Sequence, residues 1–271
     1  MAASGQPSRT AAECSVFTVA STQGEWLWIK SQHAYIKRSD IIAFDDAIPF
    51  YTQRLEVAQT SRNYRHRAEI WRLKGDLDSA LSDMNAAINQ SPNDFSLFVI
   101  RGILWHNKKE DDKAIADYSE AIRLNPQSVE TRLQLCGLLE DDSPRDALGF
   151  AEQAVSLDPK SFKAHFVLGK LLFKTERLAE SAKELETSRD LDPTSSAVRF
   201  ALVRTYKSLG KEADAAREAA IFRRLRTAED QFRTTGRVSP SYFEFDPAVE
   251  KPASKSPSES GPKGRKASAA Q

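Results

Sequence analysis

The prolines Pro92, Pro126, Pro159 and Pro193 recur at a step of about 34 residues, and Thr227 falls one further step along. A chain with such a period reuses one small unit that cannot bury its own apolar face, so neighbouring units must stack on one another. Other columns keep the same step. Small residues recur at Ala80, Ala114, Ala147, Ser181 and Ala215, and again at Ala87, Ala121, Ala154 and Ser188, with Phe222 closing the series. Large residues recur at Trp71, Trp105, Leu139, Leu172 and Tyr206, each preceded one helical turn earlier by Ala68, Gly102, Cys136, Gly169 or Val203. The one short step lies between Ser143 and Ala147, where Pro144 suits a shortened turn.

Within each unit apolar residues recur at three- and four-residue steps, which predicts two amphipathic helices joined by a tight turn. Gly75 and Gly210 supply permissive turn positions. Small columns mark places where helix backbones approach closely and a neighbouring large side chain fills the groove. These columns resemble the tetratricopeptide repeat, and the second unit carries the pattern most fully, with Phe98, Gly102, Trp105, Ala114, Tyr118, Ala121 and Pro126. The resemblance implies a mainly α fold, an α-solenoid over 61–235 with units at about 61–94, 95–128, 129–161, 162–195 and 196–229. A half-repeat capping helix over 44–60, carrying Ala47 and Tyr51, precedes it. The pattern is broken by Arg132 and Ala151 in the third unit and by Phe222 and Thr227 in the fifth. Loss of the proline at Thr227 lets the last helix run on as a cap, with a stripe of Ala215, Ala219, Phe222, Leu225, Ala228 and Phe232, and Gly236 is placed at its end.

Residues 16–43 have a different texture. Val19, the run Glu25-Trp26-Leu27-Trp28-Ile29, and Ala34-Tyr35-Ile36 read as short strands separated by turns. The stretch resembles the closing half of a bacterial Src-homology-3-like barrel, although Ala34-Tyr35-Ile36 stands where a Gly-Trp-Val-like strand is usual. Residues 1–15, expected to be disordered, are too short and polar to supply the opening strands. Two alternatives stay open: a start further upstream, with or without a leader, or a remnant sheet against the first helix. Period-two geometry puts Trp26 and Trp28 on one face, either sealing the sheet against the helices or forming a ligand platform. Residues 236–271 are rich in Pro, Ser and Lys and read as a disordered tail, with Tyr242, Phe243 and Phe245 expected against the cap helix.

Thirty-nine basic and 38 acidic residues leave a net charge of +1, so no global field favours nucleic acid as a partner. No apolar run is long enough to span a bilayer. The first residues lack the apolar core of a secretory signal, and with only Cys14 and Cys136 present a cytoplasmic location is expected. Chemistry is equally hard to find. The four histidines, His33, His66, His106 and His165, include no pair at helical ligand spacing, and Asp76-Leu77-Asp78 lacks the glycine and glutamate of a calcium loop. Phosphate-cradling loops and nucleophile elbows are missing as well. Cys136 falls in a packing column and reads as an inert thiol. The expectation is a protein with no metal, no cofactor and no catalytic residues.

What remains is surface. The resemblance implies that first helices line a groove that takes an extended peptide or a helix. The packing columns leave over Arg65, Glu69, Arg72, His106 and Glu140 together with the residues expected to form the groove, Val99, Ile103, Leu133, Phe166, Lys170, Phe173, Lys174, Phe200, Arg204 and Lys207. Aromatic anchors beside cations suit a protein partner that is apolar with acidic flanks. The polar side chains of a carboxylate clamp for chaperone tails are replaced here by apolar ones. Groove exposure and burial between adjacent first helices are both open readings of this row. The functional expectation is a noncatalytic interaction scaffold. Self-assembly, or service as an accessory subunit of an enzyme carried by another chain, are the alternatives.

Overall fold

The computed structural model describes Val19–Gln23, Trp26–Ile29, Ala34–Lys37 and residues 43–235. The first three segments form β1, β2 and β3, an antiparallel sheet in that order. Leu27 pairs with Ile36 and Trp28 with Tyr35, and the β1–β2 register shifts between Val19 and Ser21. The side-chain placement expected for Trp26 and Trp28 lies outside the described residues, as do the N-terminal 1–15, Gly236 and the tail with Tyr242, Phe243 and Phe245.

The rest is helical. A 3-10 turn, Phe44–Asp46, leads into α1, Ala47–Val57. Hairpins follow as α2, Ser61–Lys74, with α3, Leu77–Gln90; α4, Phe95–Asn107, with α5, Asp111–Leu124; and α6, Val129–Leu139, with α7, Pro144–Leu157. Then come α8, Phe162–Lys174; α9, Leu178–Leu191; α10, Ser196–Ser208; and α11, Glu212–Thr235. The helices form two compact units divided between Arg177 and Leu178, so the boundary falls inside the stretch 162–195. In the first unit each helix from α1 to α8 packs on the next, and in the second α9, α10 and α11 pack in order, the arrangement of a helical-repeat solenoid.

Local chemistry explains the punctuation. Each first helix opens on an oxygen: the side chains of Thr60, Asp94, Ser128, Ser161 and Ser195 accept a backbone N–H two or three residues on, satisfying a donor that the helix itself leaves open. Four of the chain turns use a left-handed residue, Gly75 (φ 84°), Lys109 (φ 67°), Glu176 (φ 63°) or Gly210 (φ 70°). The following N–H then reaches back, Asp76 to the Trp71 carbonyl at 3.0 Å and Lys211 to Tyr206 at 2.9 Å, closing the helix end. The third turn is one residue shorter. It closes through the Ser143 N–H to the Leu139 carbonyl at 2.9 Å, and α7 starts on Pro144.

The small columns are buried where helices cross. Ala80, Ala114, Ala147, Ala87, Ala121 and Ala154 have no exposed surface. Gly102 shows why the column is small: a Cβ built there would lie 2.6 Å from Cε1 of Tyr118, a residue only 1% exposed. Cys136 donates to the Ala147 carbonyl at 3.2 Å, and burial pushes its thiol pKa up to about 12.

Two ion pairs repeat at the unit spacing. Arg67 donates from Nε and Nη2 to both oxygens of Asp83 at 2.8 and 2.7 Å, and from Nη1 to Thr52 at 3.0 Å. Arg101, one repeat later, does the same to Asp117 at 2.8 and 2.7 Å, with Asn85 as third acceptor at 2.8 Å. Each guanidinium ties a first helix to its own second helix and to the second helix before it. In the third unit these columns read Leu135 and Phe150, so an apolar pair replaces the ionic one.

In the second compact unit Glu218 of α11 accepts from Arg189 at 3.0 Å and from Arg199 at 2.9 Å. Phe222, where the repeat pattern has alanine, sets its ring 5.5 Å from that of Phe200.

Candidate functional site

The row expected on the first helices divides by environment. Val99 and Ile103 of α4 are half-buried and pack against the core of Ala114, Tyr118 and Leu135. They therefore seal the contact between the second and third repeats. Leu133 of α6 and Phe166 and Phe173 of α8 are half-buried, on two first helices that touch directly. The Lys170 ammonium lies 5.9 Å from the centroid of the Phe166 ring, a cation–π arrangement.

Two of the row's cations have carboxylate partners. Lys170 donates to Glu140 at 2.8 Å, and Lys174 donates to Asp141 at 2.5 Å. The hydrogen bond from Lys174, and its charge, hold the Asp141 carboxyl below its ordinary range. Both lysines are thus neutralised by carboxylates from the turn after α6. A usable signal was present: the partners stand 30 positions apart for Glu140 and Lys170 and 33 apart for Asp141 and Lys174, close to one repeat. Lys108 pairs with Asp78 across the same kind of interval, at 2.6 Å. Phe200, Arg204 and Lys207 are exposed on α10, in the second compact unit, with Phe200 48% exposed beside Phe222.

His66 is buried beside Tyr51, ring centroids 5.4 Å apart, and burial together with Arg65, Arg62 and Arg54 lowers its pKa to about 4. His106 Nδ1 lies 2.7 Å from a carboxylate oxygen of Asp111 at an exposed turn. Among the described residues no group of three or more His, Cys, Asp or Glu side chains converges to hold a metal, and no helix is long and apolar enough to cross a membrane.

Sequence reading missed a cleft of about 450 Å³ on the second-helix side of the third repeat, between α5 and α7 and floored by α6. Leu135 and Phe150, the two residues that replace the ion pair of earlier units, line it together with Ser119, whose column holds Thr52 and Asn85 in those units. The signal was the joint loss of both charged columns in one unit.

The fold defines a helical-repeat protein. Residues 74–129 and 134–196 match the tetratricopeptide repeat family model. The match leaves residues 16–43 outside it, and the Src-homology-3-like resemblance finds no support. No curated protein sequence matches the chain. Solved structures share the fold. Residues 41 to the end of MamA from Desulfovibrio magneticus RS-1 superpose with a TM-score of 0.58 at 19% identity, covering 63% of this chain and 97% of that one. YrrB, described as a TPR protein with an unusual peptide-binding site, gives 0.53 at 19% identity, covering 62% and 88%. PilW, a type IV pilus biogenesis factor, gives 0.52 at 20% identity, covering 58% and 74%.

Proposed function

We propose that the chain is a noncatalytic protein-interaction scaffold that takes a partner peptide or helix on the first-helix surface of its repeats. The observation that carries this reading is the pair Leu133 and Phe166, apolar side chains left half-exposed on the directly touching helices α6 and α8. Apolar anchors of this kind supply most of the energy of a peptide interface when a partner covers them. The printed description of YrrB as having a peptide-binding site lends support from the same fold. The partner is apolar at its centre. An acidic flank would meet Lys170 and Lys174 already paired, so affinity rests on the apolar contacts and varies little with salt. Nucleic acid, with its steep salt dependence, is not the partner in this reading, and the site of action is the cytoplasm.

The test is affinity capture from lysate with mass spectrometry, with Phe166→Asp as the control. The variant is expected to lose the captured partner while keeping its helical circular dichroism. Retention of the same partner by Phe166→Asp refutes the proposal. Light scattering over a concentration series tests the self-assembly alternative directly: growth in mass with concentration favours it.

A further inference from the structure

The cleft of the third repeat lies beside a charge that has no counter-ion among the described residues. Arg132 of α6 is 7% exposed. Its guanidinium donates from Nε to Gln153 Oε1 at 3.1 Å and from Nη1 to the Ser128 carbonyl at 3.0 Å, and both acceptors are neutral. Burial with no compensating carboxylate lowers its pKa. The same column holds Arg199 in the fifth repeat, where the guanidinium donates to Glu218 at 2.9 Å. Glu218 stands three residues after Ala215, and the position three residues after Ala147 in the third repeat is Phe150. The arginine has been kept and its carboxylate removed. A buried cation without an anion is costly to a fold, so an anion supplied from outside has a strong electrostatic reason to bind there.

The missing carboxylate leaves an opening. Phe150 lines the cleft, and so does Gln153, the neutral side chain that separates Arg132 from it. Leu135, Leu139 and Ile115 give an apolar floor. At the rim stand Arg145, a second cation, and Asp146, a carboxylate that opposes an incoming anion but accepts a backbone N–H; neither forms an ion pair among the described residues. An occupant that satisfies all of these is polypeptide: an apolar side chain for the floor, a carboxylate for Arg132 and Arg145, and a main-chain N–H for Asp146. We propose that this cleft is a second docking site, separate from the first-helix row, for a partner segment in which an acidic side chain stands next to an apolar one.

The experiment uses the full chain and three probes, acetyl-Phe-Glu-amide, acetyl-Phe-Gln-amide and acetyl-Phe-Lys-amide, titrated while the methyl resonances of Ile115, Leu135 and Leu139 are followed. The glutamate probe is expected to shift these methyls saturably, and the glutamine probe to bind about tenfold more weakly or worse, the scale of one charge-assisted hydrogen bond. The lysine probe is expected to bind no better than the glutamine one. Gln153→Glu, which keeps side-chain shape and supplies Arg132 with its own carboxylate, is expected to abolish the preference for glutamate over glutamine and to raise the melting temperature. Equal binding of the glutamate and glutamine probes overturns the proposal, as does the absence of any saturable shift. A preference for lysine assigns the cleft to Asp146 and overturns it too. So does an undiminished glutamate preference in Gln153→Glu.

Discussion

Gly102→Ala sets two effects of opposite sign against each other at one atom. Alanine is the better helix former, and the exchange in the interior of α4 favours folding by about 1 kcal/mol on propensity alone. The added Cβ, however, would sit 2.6 Å from Cε1, 2.9 Å from Cδ1 and 3.2 Å from Cζ of Tyr118. The ring cannot swing away, because Tyr118 is 1% exposed and enclosed with Ala114 and Leu135. Overpacking of this kind costs about 1–3 kcal/mol, and a 2.6 Å approach is too short to be absorbed, so the net loss reaches up to about 2 kcal/mol. Gly137→Ala in α6 is the internal control: nothing lies within 4 Å of its added Cβ, and the position is exposed, so it should gain about 0.5–1 kcal/mol. Urea unfolding followed by far-ultraviolet circular dichroism should therefore move the midpoint of the first repeats down for Gly102→Ala and up for Gly137→Ala. In a Tyr118→Leu background the cost of Gly102→Ala should disappear, since the two residues are coupled through one contact. If Gly102→Ala raises the midpoint as Gly137→Ala does, close packing is not the cause of the small column, and the reasoning for every such column fails.

Asp117→Ala should cost about 2 kcal/mol by leaving Arg101 without its carboxylate, whereas Arg101→Leu combined with Asp117→Phe, the pair found in the third repeat, should lose clearly less; equal losses in urea unfolding would show that the ion pair itself is irrelevant. Because His66 is held at about 4 in the folded protein, below its ordinary 6.5, the unfolded chain takes up the proton first. Stability is thus complete above pH 6.5 and declines as pH falls from 6.5 toward 4, and His66→Gln should flatten that part of the unfolding-midpoint profile. Cys136, with its thiol pushed up to about 12, should resist iodoacetamide at neutral pH until urea unfolds the repeat, as peptide mapping would show; rapid native alkylation would contradict its burial.

The repeat was legible in the sequence because its cause is local and recurs. Helix turns need a hydroxyl or carboxylate at one end and a left-handed residue at the other. Crossing helices need a small residue at a fixed phase, so Ala80, Gly102 and Cys136 announce themselves by spacing alone. The terminal departure at Phe222 could likewise be read as a cap, and its ring now lies against Phe200. Side-chain partners across repeats were harder to read. For Lys170 and Lys174 sequence shows a charge but not what lies one repeat away in space, where the fold brings Glu140 and Asp141 to them. Val99 and Ile103 looked the same as Leu133 in a list of unassigned apolar positions, yet only the packing of α4 on its neighbours makes the first two part of the core.

What the amino-acid order determined by itself was the unit, its length and its number, since these follow from backbone geometry and short-range packing. Which cations are cancelled, which apolar side chains stay open, and where a buried arginine was left beside a cleft were decided only when the units stacked. Burial and charge pairing are properties of the space between helices, and that space exists only in the tertiary structure.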